Sequence, residues 1–143
     1  MTHPLVRRIR RDLAAAADSR RAPQMQAYMK SELPYRGVAA PVVKRLCRDA
    51  FKSHPLESAA EWQRVVLELW RTARFREERY AAVLLTQARA YRGFQTVSSL
   101  PMLEEMIVTG AWWDLVDTLA GHNHGDLLRA EPRRRLGHRL DTD

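Results

Sequence analysis

The chain has 143 residues, of which 45% are hydrophobic, and this length and composition fit one folded domain over residues 1–143 and exclude a disordered chain. Its net charge of +7 is uneven: residues 1–50 hold eleven Lys/Arg against four Asp/Glu, and residues 101–143 hold five against eight. A basic N-terminal part attracts polyanions, with nucleic acid as the leading candidate, and a solvated Arg-rich surface is the equally weighted alternative.

The single cysteine, Cys47, excludes an intramolecular disulfide and suits a cytoplasmic protein. Four arginines lie near the N-terminus, but the apolar stretch after them runs only from Leu13 to Ala17, which is too short for the core of a signal peptide. Nothing approaches the length of a membrane span. We therefore expect a cytoplasmic protein without a membrane partner.

Apolar residues recur at helical spacing along nearly the whole chain, which predicts an all-α fold. Ser58-Ala59-Ala60-Glu61 predicts a capping box, in which the serine accepts from the Glu61 amide and the glutamate reaches back to the Ser58 amide. Gly110 fits the position just after the end of a helix. The predicted helices run from Pro4 to Ala17, from Pro23 to the break at Leu33–Gly37, from Pro41 to about Phe51, from Ser58 to about Trp70, from Phe75 to Tyr91, from Pro101 to Gly110, and from Ala111 or Trp112 to about Ala120, followed by a frayed helix over Asp126 to Leu140.

Seven to eight helices with short connections imply antiparallel neighbours, each covering the single apolar face of the next. A closed bundle and a helical solenoid both meet this requirement. Helix pairs that recur at roughly 35–45 residues suit HEAT-type repeats, although no clear internal identity relates one pair to another.

The predicted seventh helix carries an unusual pair of side chains. Trp112, Leu115, Val116 and Leu119 suffice for its buried stripe. Trp113 and Asp117 are four residues apart and lie one above the other on a different face, as an apolar platform beside a fixed negative charge. In the alternative interpretation, Trp113 packs against a neighbouring helix and Asp117 caps a helix or pairs with an arginine.

Three segments of the chain resemble the HEAT-repeat alkylpurine DNA glycosylases of bacterial alkylation repair, in order and spacing, from about Pro4 to Asp126. The string Trp-Trp-Asp-x-Val-Asp after an apolar helix is the most specific part of the resemblance. The matching segments are Pro23-Gln24-Met25-Gln26-Ala27-Tyr28-Met29-Lys30 with the turn Pro34-Tyr35-Arg36-Gly37-Val38 and Pro41; Glu68-Leu69-Trp70; and Leu103-Glu104-Glu105-Met106-Ile107-Val108-Thr109 leading into Trp112-Trp113-Asp114-Leu115-Val116-Asp117.

The resemblance implies a right-handed solenoid of HEAT-like helix pairs and hydrolysis of the N-glycosidic bond of cationic N3- or N7-alkylated purines in duplex DNA. It gives Asp117 the position of the catalytic aspartate, Trp113 that of a tryptophan lining the site, and Tyr28 that of an aromatic on the same concave surface. The family's further arginine and tryptophan, C-terminal to the aspartate, find no match here. We therefore expect the chain to lack the C-terminal part of the fold, with an exposed C-terminal face that allows a homo-oligomer.

Four basic residues are candidates for phosphate contacts, with ordinary surface charge as the alternative: Lys30, Arg36, Lys44 and Arg45. No cofactor is expected. His122, His124 and Asp126 can be read as metal ligands, but no second cluster supports them, so we expect no metal site. A non-catalytic DNA-binding helical module and a helical-repeat scaffold for acidic proteins are the two competing functions.

Overall fold

The computed structural model describes residues 1–110 and Leu115. The all-α prediction is confirmed for these residues, which form six α-helices and two short 3₁₀ segments and contain no strand. The elements are α1 (Pro4–Ala15), α2 (Arg21–Met29), α3 (Ala40–Ser53), α4 (Ala59–Arg71), α5 (Arg76–Gln87), the first 3₁₀ segment (Arg89–Phe94), the second (Val97–Ser99) and α6 (Leu100–Gly110).

Helix α5 lies at the centre of the described part. It packs against α1, α3 and α4, and α1 also packs against α3. The segment from Tyr80 to Val83 is buried, and the Trp62 indole of α4 donates a hydrogen bond to the Leu85 carbonyl over 3.1 Å. Helix α2, in contrast, contributes no buried residue. The arrangement is compatible with a solenoid of helix pairs, which remains a prediction.

Helix α4 begins with half of the predicted capping box. The Ser58 hydroxyl accepts from the Glu61 amide over 3.1 Å, as predicted. The reciprocal bond was wrongly predicted, because the Glu61 carboxylate accepts from the Glu57 amide and from the His3 ring instead. The His3 contact is the main reason why the pKa of Glu61 is lowered. Glu61 therefore joins the start of α4 to the start of α1.

Helix α5 ends earlier than predicted, at Gln87 rather than near Tyr91. The Thr86 carbonyl, which a continuing α-helix would offer to a backbone amide one turn later, accepts from the Gln95 side chain. Ala88 is extended, with ψ at 127°, and a 3₁₀ segment follows it. The periodicity of the apolar residues continues across this break, because Tyr91 is buried. Its hydroxyl oxygen accepts a hydrogen bond from the Leu56 amide over 2.9 Å.

Gly110 lies inside α6 and not after it, so its predicted role as a helix stop is wrong. Its backbone does not have the positive φ of that position, and Leu115 is helical as well. A Cβ at Gly110 would overlap the Trp70 ring of α4 and lie 2.5 Å from Nη1 of Arg79. A glycine is therefore needed at this position by close packing.

Helix α6 also exposes apolar side chains, with Val108 76% and Ile107 40% accessible. Oligomerisation through a C-terminal face remains a prediction. No helix among the described residues is long and apolar enough to cross a membrane.

Candidate nucleic-acid interface

The chain forms a groove of about 320 Å³ beside α2, and Tyr28 stands at its edge with 85% of its surface exposed. A large aromatic ring left in water offers a face on which a planar or cationic group can stack. The groove is lined by Arg21, Gln24, Met25, Tyr28, Met29, Tyr35, Ala40 and Tyr80.

The floor of the groove is a pair of tyrosines. Tyr35, on the turn after α2, and Tyr80, on α5, join their hydroxyls over 2.9 Å and meet edge to face, with ring centroids 6.3 Å apart. Burial raises the pKa of Tyr35, and the hydrogen bond from Tyr80 raises it further, so its phenol stays protonated at neutral pH. The pair forms a rigid, neutral floor beneath the exposed ring of Tyr28.

Glu77 holds the turn that carries Tyr35. Its fully buried carboxylate accepts hydrogen bonds from the amides of Arg36, Gly37 and Val38, over 2.9 to 3.0 Å. Gly37 has a φ of 91°, and a Cβ there would overlap the Asp18 carbonyl. The turn is thus held by the Glu77 carboxylate of α5 on one side, and it packs against the Asp18 carbonyl, just before α2, on the other.

The predicted phosphate contacts fall in two places. Lys30 ends α2 in the left-handed conformation, next to Met29 of the groove lining, and is exposed. Lys44 lies one turn after Ala40 on the same face of α3, and the exposed Arg45 follows it. Arg36 lies in a second groove, on another face of α2, with its guanidinium 4.0 Å from the centre of the Phe75 ring.

Two arginines that the sequence did not single out lie on α5, the helix that carries Tyr80 of the tyrosine floor. The Arg76 guanidinium is 5.8 Å from the Tyr80 ring centre, and the Arg79 guanidinium is 4.3 Å from the Trp70 ring centre. Arg79 also contacts the end of α6 at Gly110, and the Trp70 indole donates to the Thr109 hydroxyl over 2.9 Å. Only the spacing of Arg76 and Arg79, three apart on one helix face, signals the pair in the sequence.

Trp113 and Asp117, together with the His122–Asp126 segment, lie outside the described residues. The segment that carries Trp113 and Asp117 begins one residue after Gly110. Arg79 is close to Gly110, the residue at which the continuous described part of the chain ends. Among the described residues, no group of three or more histidine, cysteine or acidic side chains is arranged to hold a metal ion.

The model of a family described as DNA alkylation repair enzyme matches residues 9–139, which is nearly the whole chain. The comparison with curated proteins gave no match. The family match agrees with the resemblance found in the sequence; it begins within α1 and covers every later element described above. The chain belongs to the DNA alkylation repair enzyme family.

Proposed function

We propose that this protein is a DNA glycosylase that hydrolyses the N-glycosidic bond of N3- and N7-alkylated purines in duplex DNA. The observation that carries the proposal is the family match over residues 9–139 together with the string from Trp112 to Asp117 inside it. That string supplies a tryptophan and a carboxylate four residues apart in the sequence, a spacing that would bring them to one face of the predicted helix, at the positions that resemble the family's active site.

The chemistry requires little more than these groups. Alkylation at N3 or N7 makes the purine cationic, so the base is a good leaving group without protonation by an acid. Positive charge then develops on the deoxyribose as the bond breaks. In our proposal, Asp117 stabilises this charge and orients or deprotonates the attacking water, which adds to the sugar carbon as the neutral base departs.

Aromatic side chains complete the proposed site. Trp113 and Tyr28 offer ring faces to the cationic base and sugar. The exposure of Tyr28 supports this role, since its ring is free to meet a ligand. The groove beside it supports contact with the duplex, with Lys30, Lys44 and Arg45 as proposed phosphate ligands nearby and Arg36 on the adjacent groove.

The test is single-turnover release of N7-methylguanine or N3-methyladenine from alkylated duplex DNA by the wild type and by Asp117→Asn. The substitution keeps the shape of the side chain and removes its charge, so we expect the rate to fall by about a hundredfold or more. DNA binding is expected to change by less than about threefold, because the charge acts mainly on the transition state.

Asp49→Asn is the matched control, because Asp49 is an exposed aspartate of α3. It should release base at the wild-type rate. Wild-type protein that binds duplex DNA and releases no base would contradict the glycosylase and leave a non-catalytic DNA-binding module. Release that survives in Asp117→Asn would remove Asp117 from the catalytic role.

A further inference from the structure

We propose that Arg76 and Arg79 form an anion subsite that holds one backbone phosphate of DNA beside the groove of Tyr28. The two residues lie on one face of α5, and neither guanidinium has a carboxylate within ion-pair distance among the described residues. The proposal rests on the proposed function in one respect, because it takes duplex DNA as the ligand.

The first support for the subsite is that, among the described residues, no carboxylate forms an ion pair with either arginine. The sequence Arg76-Glu77-Glu78-Arg79 places two carboxylates between the two arginines, yet both are engaged elsewhere. Glu77 accepts from three amides of the turn after α2, and Glu78 binds the Arg10 guanidinium over 3.2 Å and the Arg74 amide over 3.3 Å. Within residues 1–110, the charges of Arg76 and Arg79 are thus left for another partner.

Burial is the second support. Both arginines are half-buried, and the Nε atom of each is buried without a hydrogen-bond partner in the described part of the chain. Desolvation, and then the like charge of Arg76, lower the pKa of Arg79. Two neighbouring cations that are partly removed from water repel each other and are costly to keep. A shared anion between them offsets this cost, and a phosphate oxygen is the acceptor that guanidinium groups match best.

The surroundings hold the two side chains in place. Arg79 is stacked on the buried Trp70 and confined by Gly110, and Arg76 lies over Tyr80. Stacking on aromatic rings fixes the plane of a guanidinium and lowers the conformational entropy that is lost when a ligand binds. Glu32 is the acidic group that acts on Arg79 most strongly through space, and it forms no ion pair with it.

The position suits a contact with the backbone of the substrate. Tyr80 belongs to both the subsite and the groove of Tyr28, and Arg79 contacts the last residue of α6. A phosphate held here would lie between Tyr80, which lines the groove, and Gly110 at the end of α6. Arg76 and Arg79 are therefore positioning residues, which fix the register of the duplex and take no part in the chemistry.

The experiment measures binding of the chain to an unmodified duplex at several salt concentrations, for the wild type, Arg76→Gln/Arg79→Gln and the control Arg89→Gln. Loss of one phosphate contact lowers the slope of log K against log salt by about 0.9. We expect that reduction and about tenfold weaker binding at low salt for the double variant. Arg89 is exposed on the first 3₁₀ segment, and its variant should keep the wild-type slope.

A second measurement uses the wild type alone, so it does not depend on the folding of a variant. The Nε–H resonances of Arg76 and Arg79 should shift when the duplex is added, because the partners of both guanidiniums change. Unmoved resonances, a wild-type salt slope in a folded double variant, or no binding of duplex by the wild type would each overturn the subsite.

The two proposals fail in different ways. Binding that depends on Arg76 and Arg79, without release of alkylated base, would support the subsite and contradict the glycosylase. Release by a double variant that keeps the wild-type salt slope would support the glycosylase and contradict the subsite. In single-turnover assays we expect the double variant to need more enzyme for half-maximal rate and to keep the same maximal rate, as positioning by a phosphate contact requires.

Discussion

The buried carboxylate of Glu77 determines the shape of the groove beside α2, although Glu77 does not line that groove. It is fully buried, which is rare for a glutamate, and its two oxygens accept from three consecutive backbone amides. The turn held in this way carries Tyr35, the floor of the groove, and Arg36, one of the predicted phosphate contacts. The geometry of the groove therefore depends on a carboxylate that is buried behind it.

Replacing Glu77 with glutamine tests this dependence. The side chain keeps one accepting oxygen and gains an NH2 group, so in either orientation at least one of the three amides loses its acceptor and faces a donor. We expect Glu77→Gln to lower the free energy of unfolding by about 1 to 3 kcal/mol. Urea unfolding followed by circular dichroism measures the change. Glu104→Gln, at an exposed position of α6, should alter stability by less than about 0.5 kcal/mol, and equal effects would contradict the role of Glu77.

Two glycines in different helical elements give a matched test of packing. Gly110 in α6 meets the Trp70 ring and the Arg79 guanidinium, whereas a Cβ at Gly93 in the first 3₁₀ segment would meet nothing within 4 Å. Trp70 is only 1% exposed and has little room to yield. Gly110→Ala should therefore lose about 1 to 3 kcal/mol to overpacking, which exceeds the gain of about 1 kcal/mol in helix propensity.

Thermal unfolding separates these outcomes. Gly110→Ala should melt at a lower temperature than the wild type, and Gly93→Ala at the same or a slightly higher one. A Gly110→Ala protein of unchanged stability would mean that α6 does not pack as closely on α4 and α5 as described.

The positions of the helices could be predicted from the sequence because the apolar residues of α1, α3 and α4 recur with strong helical periodicity. It misplaced the end of α5, since the Gln95 side chain that takes the Thr86 carbonyl comes from beyond the helix. Tyr28 was predicted from the resemblance of its segment and Lys30 as a basic residue within that segment, and both roles stay predictions. Arg76 and Arg79 could not be proposed from the sequence, because the argument for them depends on where Glu77 and Glu78 turn in three dimensions, which local sequence does not specify.

For the molecule as a whole, Cys47 is a probe of global unfolding, because it is the one cysteine of the chain. It is buried between α3 and its neighbours, and burial raises the pKa of its thiol to about 12. Since only an exposed thiolate reacts, the native protein should resist a disulfide reagent at pH 8 to 9. Labelling should then proceed only as fast as the chain unfolds, and immediately in denaturant.

The raised pKa of the Cys47 thiol also predicts how the free energy of unfolding changes with pH. The unfolded thiol loses its proton near pH 8.5, whereas the native thiol keeps it up to about pH 12, so the native state binds more protons between these values. The contribution of Cys47 to stability is therefore complete below about pH 8.5 and declines above it. Cys47→Ala should lessen this decline, as measured by urea unfolding at pH 8 and pH 10. Rapid labelling of the native protein would contradict both expectations.

The turn between α2 and α3 and the glutamate that holds it are 39 to 41 residues apart in the chain. Synthesis proceeds from the N-terminus, so Arg36, Gly37 and Val38 leave the ribosome well before Glu77 does. Until α5 emerges, the three amides have no carboxylate to bind, and the Tyr35 hydroxyl lacks its hydrogen-bond partner, the Tyr80 hydroxyl. The first three helices should consequently remain loosely associated on the ribosome and acquire their final arrangement only when the first part of α5 docks against them.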